Sequence, residues 1–366
     1  MSKVIIAIAQ LTGGGAERVA SVWANELQRQ GHDVTVLVFM RSADEYALDD
    51  AVTTRSVAPS CEEYLKLSFV QRFRLLRECL KDIQPQVLIS FLPTTQIWMM
   101  LASVGLPHKR VETIRVNPWT IQMRNLVFQW LWKRCYHTAD GIIVQTTDQK
   151  PFFSSKDQKK CTVIPNPISE VFMDCVRPQH SGEAVRFIAA GRIDQQKNYE
   201  MMICGFAVVC AKHPNITLDI FGAGRADYVS VLEDLIVSLE MQDHIFLRGR
   251  TTRIEKEYST RDVFLMTSDY EGMPNALAEA MASKLVCIST DCLTGPRDLI
   301  DHSRNGYLIP VGDVSALSDT IEHVIAMSPE EKQRIANAAR DKVTAYCSKE
   351  TSIQRLDCAI TAIENQ

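Results

Sequence analysis

"KVIIAIAQLTGGGAERVASVWANELQRQGHDVTVLVF", residues 3–39, is the stretch whose reading decides the fold. Its first part, "KVIIAIA", is a nearly continuous apolar run of strand length, the pattern of a strand covered on both faces. "AERVASVWANELQRQ" repeats its apolar residues at helical spacing, "GHD" marks a turn, and "VTVLVF" is a second apolar strand. Strand, helix and strand in that order make a βαβ unit, so the sheet is predicted to be parallel.

The same alternation continues outward. "QVLISF" (86–91), "RVETIRV" (110–116) and "GIIVQT" (141–146) are predicted to be further strands of the first sheet, separated by helical segments. "VIPNPIS" (163–169) carries two prolines that neither a helix nor a strand can accommodate, which marks a domain linker. Beyond it the pattern restarts with "VRFIAAGR" (185–192), "ITLDIFGAG" (216–224), "HIFLRG" (244–249), "DVFLMTS" (262–268) and "LVCIST" (285–290). Two α/β domains, each a doubly wound parallel sheet, follow from this order. Ligands of such sheets bind beyond the carboxyl ends of the strands, so the loops after strands are where chemistry is expected.

With 366 residues, 46% of them hydrophobic, the chain can build a core for each domain. No run approaches the roughly 18–20 apolar residues of a membrane-spanning helix. The longest candidate, "IWMMLASVGL" (97–106), is much too short, and "MSKVIIAIAQLTGGG" reads as a first strand instead of a leader. A soluble protein, or one attached to a membrane surface from outside, is expected. Eleven cysteines are scattered without a CxxC pair or zinc-ligand spacing, as free thiols of a reducing cytoplasm would be. The net charge of -4 is uneven: through Pro165, 20 Lys+Arg oppose 15 Asp+Glu, and the remainder has 20 against 29. Two domains with different partners fit that division, and the basic excess is too small to imply nucleic acid.

Three loops carry candidate chemistry. In "LTGGGAERVA" (11–20), Gly13 and Gly15 fit the first two positions of a dinucleotide fingerprint, but Arg18 stands where its third glycine belongs. The loop then reads as a glycine turn close to a phosphate or sugar, or as a merely tight turn. In "GRIDQQKN" (191–198), Arg192 and Lys197 follow a strand and could neutralise a diphosphate together; two solvated cations are the plain alternative. In "TSDYEGMPNALAEAMASK" (267–284), Pro274 suits the first turn of a helix. Glu271 then lies in the loop, Glu279 lies inside the helix, and the amides of Asn275, Ala276 and Leu277 face an anion between them. Sugar, diphosphate and ribose follow one another in a nucleotide sugar in that order. A capped helix with two surface glutamates is the alternative.

Taken together, "GGGAERVA", "VIPNPI", "GRIDQQKN", "DYEGMPNALAEAMA" and "DCLTGPRDLIDHSRNGYLIP" make the chain resemble the family 4 glycosyltransferases, retaining enzymes of the GT-B fold that use nucleotide sugars. "TGPRDLI" is similar to bacterial surface-polysaccharide and glycan-assembly transferases, which often handle N-acetylhexosamines. The resemblance implies two Rossmann-like domains facing an interdomain cleft. The N-terminal, acceptor-binding domain spans 1–165 and the nucleotide-sugar domain 166–350, with a helix at 351–366 packing back towards the first domain. It assigns Arg192 and Lys197 to the diphosphate, and Glu271 and Glu279 to the EX7E motif, facing the donor sugar and the ribose hydroxyls respectively. Glu271, Arg192 and Lys197 are thus the catalytic candidates. Gly272, Met273, Pro274, Asn275, Ala276 and Leu277 supply backbone near sugar and phosphate. Gly14 and Gly15 close over the donor, and Gly222, Gly224 and Arg250 lie near the nucleotide.

The same resemblance implies a UDP- or GDP-sugar donor, UDP favoured, with neither cofactor nor metal, and a leaving phosphate that accepts the acceptor's proton. Many relatives have a histidine near the reacting centre, whereas "VETIRVNPW" has none; His108 precedes the strand and His32 falls in a turn. Glu112 and Arg115 are the acceptor-side candidates left. Three of the five tryptophans fall in "NPWTIQMRNLVFQWLWKRCYH" (117–137) beside Arg124, Phe128, Lys133 and Arg134. With "QRFRLLRECLK" (71–81), that segment suits an anionic membrane interface, or else a core helix. The membrane reading makes the acceptor a polyprenyl-diphosphate-linked glycan at the cytoplasmic face of the inner membrane. A nucleotide-sugar epimerase and a non-catalytic nucleotide-sugar sensor are the competing functions.

Overall fold

The structure, a computed structural model, describes residues 1–121, 125–174 and 185–365. The chain divides into two compact units, one of Met1–Pro167 with Glu350–Gln366 and one of Ile168–Lys349.

The first unit begins β1 (Lys3–Ile8), α1 (Gly15–Arg29), β2 (Asp33–Met40), β3 (Thr53–Ala58), α2 (Cys61–Lys66) and α3 (Phe69–Ile83). It continues β4 (Val87–Phe91), α4 (Pro93–Ala102), β5 (Lys109–Thr113), α5 (Leu126–Thr138), β6 (Gly141–Val144), α6 (Ser155–Gln158) and β7 (Cys161–Val163). Its sheet has seven strands in the order β3-β2-β1-β4-β5-β6-β7, with every pair parallel. Side chains alternate across β1: Val4, Ile6 and Ile8 pack with Trp23 and Leu27 of α1, whereas Ile5 and Ala7 pack with Leu76, Leu80 and Met99 of α3 and α4. Both faces are covered, which is why the strand reads as unbroken apolar sequence. Each large apolar side chain buried this way stabilises the fold by roughly 1.5–3 kcal/mol relative to exposure.

The second unit begins β8 (Arg186–Ala190), α7 (Tyr199–Cys210), β9 (Thr217–Phe221), α8 (Ala226–Ser238), β10 (Ile245–Gly249) and α9 (Ile254–Ser259). It continues β11 (Val263–Met266), α10 (Asn275–Ala282), β12 (Val286–Thr290), α11 (Pro296–Leu299), β13 (Tyr307–Ile309), α12 (Val314–Ala326) and α13 (Pro329–Cys347). Its six strands run parallel in the order β10-β9-β8-β11-β12-β13. The chain's last helix, α14 (Lys349–Glu364), places Ile353, Leu356, Ile360 and Ile363 in the core of the first unit. Gly141 lets α14 approach closely, because a Cβ there would press on the tip of the Ile363 side chain.

Three expectations change. The strand predicted over 110–116 ends at Thr113, with one further sheet bond from Ile114 N to Ile143 O at 2.8 Å. β3 was not predicted: it is the edge strand, and only its last residue is buried, so its sequence lacks the apolar run. His32 is no ordinary turn residue. It is 5% exposed, its Nδ1 accepts from Ser2 N at 3.2 Å, and its Nε2 lies 2.9 Å from Asp357 Oδ1 on α14.

In both sheets the strand order reverses about a central pair, β1 with β4 in the first and β8 with β11 in the second. The loops that leave those pairs open the crevice in which a doubly wound sheet holds its ligand.

Candidate functional site

The site is built at the reversal point of the second unit, where the loop after β8 meets the loop after β11. Asn198 is held at a left-handed φ of 47°, a conformation asparagine tolerates, and its side chain caps α7 by accepting from Met201 N at 3.1 Å. That turn aims Lys197 across the sheet. Its Nζ lies 2.6 Å from Glu271 Oε1, with only 16% of the lysine side chain and 8% of the glutamate side chain exposed. Ser268 Oγ donates to the same carboxylate oxygen at 2.7 Å, and Gln196 Nε2 reaches Oε2 at 3.5 Å.

Backbone contacts lock the two loops together. Thr267 Oγ1 donates to Lys197 O and Asn198 O, both at 2.9 Å, and Asp269 N donates to Gln196 O at 2.9 Å. Gln196 Nε2 also donates to Tyr270 O at 2.7 Å, and Asn198 Nδ2 to Asp269 Oδ1 at 2.9 Å. A third loop, after β12, backs them: Thr290 Oγ1 donates to Ser268 O at 2.6 Å, and Thr294 Oγ1 donates to Glu271 O. Gly295 has φ 102° and lies against Pro274 and Gly272 O, so neither a left-handed penalty nor a Cβ is tolerated there. Gln196, Ser268 and Thr294 therefore hold the glutamate, and Thr290 backs Ser268. All four lie inside the quoted stretches, but spacing gave them no role.

Pro274 is the N-cap of α10, not a residue of its first turn, and Ala278 N is the first amide to reach back, to Pro274 O at 3.1 Å. Positions 275–277 form the first turn, whose amides have no acceptor within the helix. The side chains of Met273 and Leu277 enter the core, which leaves their backbone as the part able to meet a ligand. Gly272 and Asn275 are half-buried, as is Ala276. The reading of two surface glutamates fails: Glu271 is 6% exposed and Glu279, within α10, is half-buried.

Other expected donor residues stand differently. Arg192 leaves β8 exposed, its Nη2 3.4 Å from Asp194 Oδ2, and the structure does not bring its guanidinium onto the Lys197–Glu271 pair. Arg192 Nη2 also lies 3.5 Å from Oε1 of Gln196, the residue whose Nε2 reaches Glu271, while Lys197 faces the carboxylate itself. Gly222 and Gly224 have a packing reason of their own: a Cβ on either would strike the backbone of Gly191 or Ile193. Arg250 is exposed just after β10. In the first unit, Gly14 caps α1 with Gly15 as its first residue, and the Glu17 carboxylate lies where a Cβ on Gly14 would sit. Burial pushes the Glu17 carboxyl above its ordinary value, against a backbone hydrogen bond that lowers it.

The acceptor-side candidates separate. Glu112 is fully buried on β5, with Oε1 3.2 Å from Arg110 Nη1, and burial pushes it up to about 8 against the pull of Arg110 and Ser90. Closed off from solvent, it does not meet an acceptor. Arg115 is 8% exposed, stacked 4.2 Å over the Trp23 ring and 5.0 Å over that of Phe91, with Nη1 donating to Asn166 Oδ1 at 3.0 Å. Its Nε and Nη2 have no hydrogen-bond partner, and burial lowers it to about 9, which leaves it a cation at neutral pH. It sits just beyond β5, at the carboxyl edge of the first sheet.

The two segments expected at a membrane are only partly free. In 71–81, which lies in α3, Arg77 Nη1 donates to Ala102 O and Val104 O, both at 2.8 Å, and Arg72 stacks 4.4 Å over Tyr64. In 117–137, Trp132 is buried, donating to Gln96 Oε1 at 2.8 Å, whereas Trp119, Phe128 and Trp130 are exposed. Lys133 and Arg134 are exposed on α5; Arg124 lies outside the described residues. No helix among the described residues is long and apolar enough to cross a membrane, and none of their His, Cys, Asp or Glu side chains cluster as a metal site.

Residues 13–171 match the family described as Glycosyltransferase Family 4, and residues 177–342 that described as Glycosyl transferases group 1. A relative from Campylobacter jejuni, named as the GalNAc-alpha-(1->4)-GalNAc-alpha-(1->3)-diNAcBac-PP-undecaprenol alpha-1,4-N-acetyl-D-galactosaminyltransferase, is 27% identical over 342 residues, 92% of this chain and 93% of its own. The amylovoran biosynthesis glycosyltransferase AmsD of Erwinia amylovora is 24% identical over 352 residues, 94% of this chain and 96% of its own. Among solved structures, Anabaena HepE in complex with UDP aligns with a TM-score of 0.80 at 15% identity, covering 98% of this chain and 100% of its own. A glycosyltransferase from Rickettsia africae aligns with a TM-score of 0.80 at 16% identity, covering 99% of this chain and 98% of its own; identities this low show the fold alone. With the two family matches together spanning most of its length and a Rossmann-like parallel sheet in each unit, the chain belongs to the family 4, group 1 glycosyltransferases.

Proposed function

We propose that the enzyme moves a hexose or N-acetylhexosamine from a UDP- or GDP-sugar, UDP favoured, to a hydroxyl of a polyprenyl-diphosphate-linked glycan, with retention at the anomeric carbon. The observation that carries this reading is the pairing of Lys197 with Glu271 beside the first turn of α10. A cation, a carboxylate and a helix start, held at the reversal point of a doubly wound sheet, suit a diphosphate joined to a sugar. The Campylobacter jejuni and Erwinia amylovora relatives support a place in bacterial glycoconjugate or surface-polysaccharide assembly, such as O-antigen or capsule. HepE with UDP supports the uridine preference.

On this reading Lys197 exchanges the glutamate for a phosphate oxygen when the donor arrives, and Glu271 exchanges an ammonium for a sugar hydroxyl. Arg192, long and exposed, swings to the same diphosphate. The two cations and the α10 amides then stabilise the charge that grows on the leaving group, without a metal. Glu279 holds the ribose hydroxyls, and the departing phosphate takes the acceptor's proton. The enzyme works as a peripheral protein at the cytoplasmic membrane face, where its lipid-linked acceptor lies.

Incubation with labelled UDP- and GDP-sugars, with and without a lipid-linked acceptor, tests this. Acceptor-dependent transfer supports it. Acceptor-independent epimerisation, or tight donor binding with no product, overturns it in favour of an epimerase or a sensor.

A further inference from the structure

A cavity of about 380 Å³ opens on the first unit between α4 and α5. Met100 and Leu101 at the end of α4, Val104 in the turn after it, and Trp130 and Leu131 from α5 form its apolar walls, and Arg110 and Arg134 lie at its polar side. Arg110 is spoken for, with Nη1 3.2 Å from Glu112 Oε1 and Nη2 donating to Thr138 Oγ1 at 2.6 Å. Arg134 is exposed, next to an exposed Lys133.

The surface around the opening is of the same kind. Val104 is 67% exposed and Trp130 63%, a degree of apolar exposure that marks a binding surface when it is contiguous with a cavity. From Asn117 to Ala139 the sequence contains no acidic residue. An apolar hole with Arg134, which forms no ion pair among the described residues, at its edge complements a molecule with an apolar chain and an anionic head. Pockets that engulf small ligands run from roughly 300 to 1,000 Å³, so this one has room for a segment of one chain and not for a whole polyprenyl tail.

We propose that this cavity holds the first isoprenoid units of the lipid-linked acceptor, with the lipid's phosphate against Arg134. This rests on the reading of the acceptor as a polyprenyl-linked glycan and adds the surface that selects it. The lipid would then be read by the protein itself, and the membrane would not merely concentrate the substrate. Trp132, on the buried face of α5 and bonded to Gln96, anchors the helix while Trp130 faces the opening.

Farnesyl phosphate, a short isoprenoid phosphate, probes the cavity in the full-length protein by calorimetry, with farnesol and inorganic phosphate as controls. Saturable binding of farnesyl phosphate, at least about tenfold weaker binding of farnesol, and none of inorganic phosphate are expected. Val104→Trp narrows the opening from an exposed position and should weaken farnesyl phosphate about tenfold or more, and Arg134→Glu should abolish the preference over farnesol. UDP binding serves as the folding control in both variants and should not change. Unchanged affinity in Val104→Trp with UDP binding intact overturns the proposal. So does a dimer that Val104→Trp converts to a monomer while farnesyl phosphate affinity stays the same, since the face would then cover a second copy. Loss of the proposed function is a separate result: cavity-dependent farnesyl phosphate binding in a protein that transfers sugar to no acceptor leaves this site standing and removes only the glycan reading.

Discussion

Lys197 Nζ lies 2.6 Å from Glu271 Oε1, so the two groups assigned to diphosphate and sugar hold one another in the unliganded chain. Taking one partner away leaves a largely buried charge uncompensated, which costs about 3–5 kcal/mol where pairs are fully enclosed and less where, as here, one end keeps contact with solvent. Lys197→Ala should therefore lower stability by about 2–3 kcal/mol as well as weaken the donor. Denaturant unfolding of the single variants and of Lys197→Ala/Glu271→Ala checks it: the double variant should be less destabilised than the sum of the singles, and strict additivity would count against a coupled pair.

The two glutamates should separate kinetically. Glu279→Ala should raise the dissociation constant of the donor through loss of the ribose contact, whereas Glu271→Ala should leave donor affinity nearly intact and reduce turnover about 100-fold or more. Calorimetry with UDP and single-turnover transfer distinguish them. Equal UDP affinity in wild type and Glu279→Ala would remove the ribose assignment.

Glu112 gives the fold a pH dependence. The unfolded chain ionises this carboxyl near its ordinary value of 4.5, whereas the folded chain keeps it protonated up to about 8. Between those values only the unfolded state has lost the proton, so this group's contribution is full below 4.5 and declines as pH rises to 8. Glu112→Gln, which is neutral throughout, should gain in Tm relative to wild type as pH is raised from about 5 to about 9. A constant difference across that range would mean that burial does not hold the proton.

Gly224→Ala should be severely disruptive although it adds a single methyl group, because that Cβ strikes the backbone of Ile193 where β8 and β9 end. A loss of about 2–3 kcal/mol is expected, measured by thermal unfolding. A change within about 0.5 kcal/mol would mean that the loop relaxes and that the glycine serves only a ligand.

Much of this was legible in the sequence, for reasons that differ from residue to residue. Central strands such as β1 and β11 announce themselves because both faces are buried, and a run like "VFLM" has no other use. The edge strand β3 gave no such signal, its polar residues being exposed. At the site, spacing placed Glu271 in a loop and Glu279 on a helix, and both lie there. Spacing could not show that Lys197 would spend its charge on Glu271 instead of standing beside Arg192, since that contact spans loops 74 residues apart. Nor could it separate the fates of neighbouring aromatics: Trp132 finds the buried Gln96 side chain, while Trp130, two residues earlier, faces outward. Glu112 and Arg115 are three positions apart beyond the reach of any motif, and only the folded chain shows that one is fully enclosed and the other stacks on Trp23.

The central claim is acceptor-dependent sugar transfer from a nucleotide sugar through the Lys197–Glu271 site, and its most direct measurement is transfer of radiolabel from UDP-sugars to a polyprenyl-diphosphate-linked glycan. Wild type should form a labelled lipid-linked product that Glu271→Ala forms at least about 100-fold more slowly with UDP still bound. Equal rates in the two proteins, or label released without any acceptor, would contradict it.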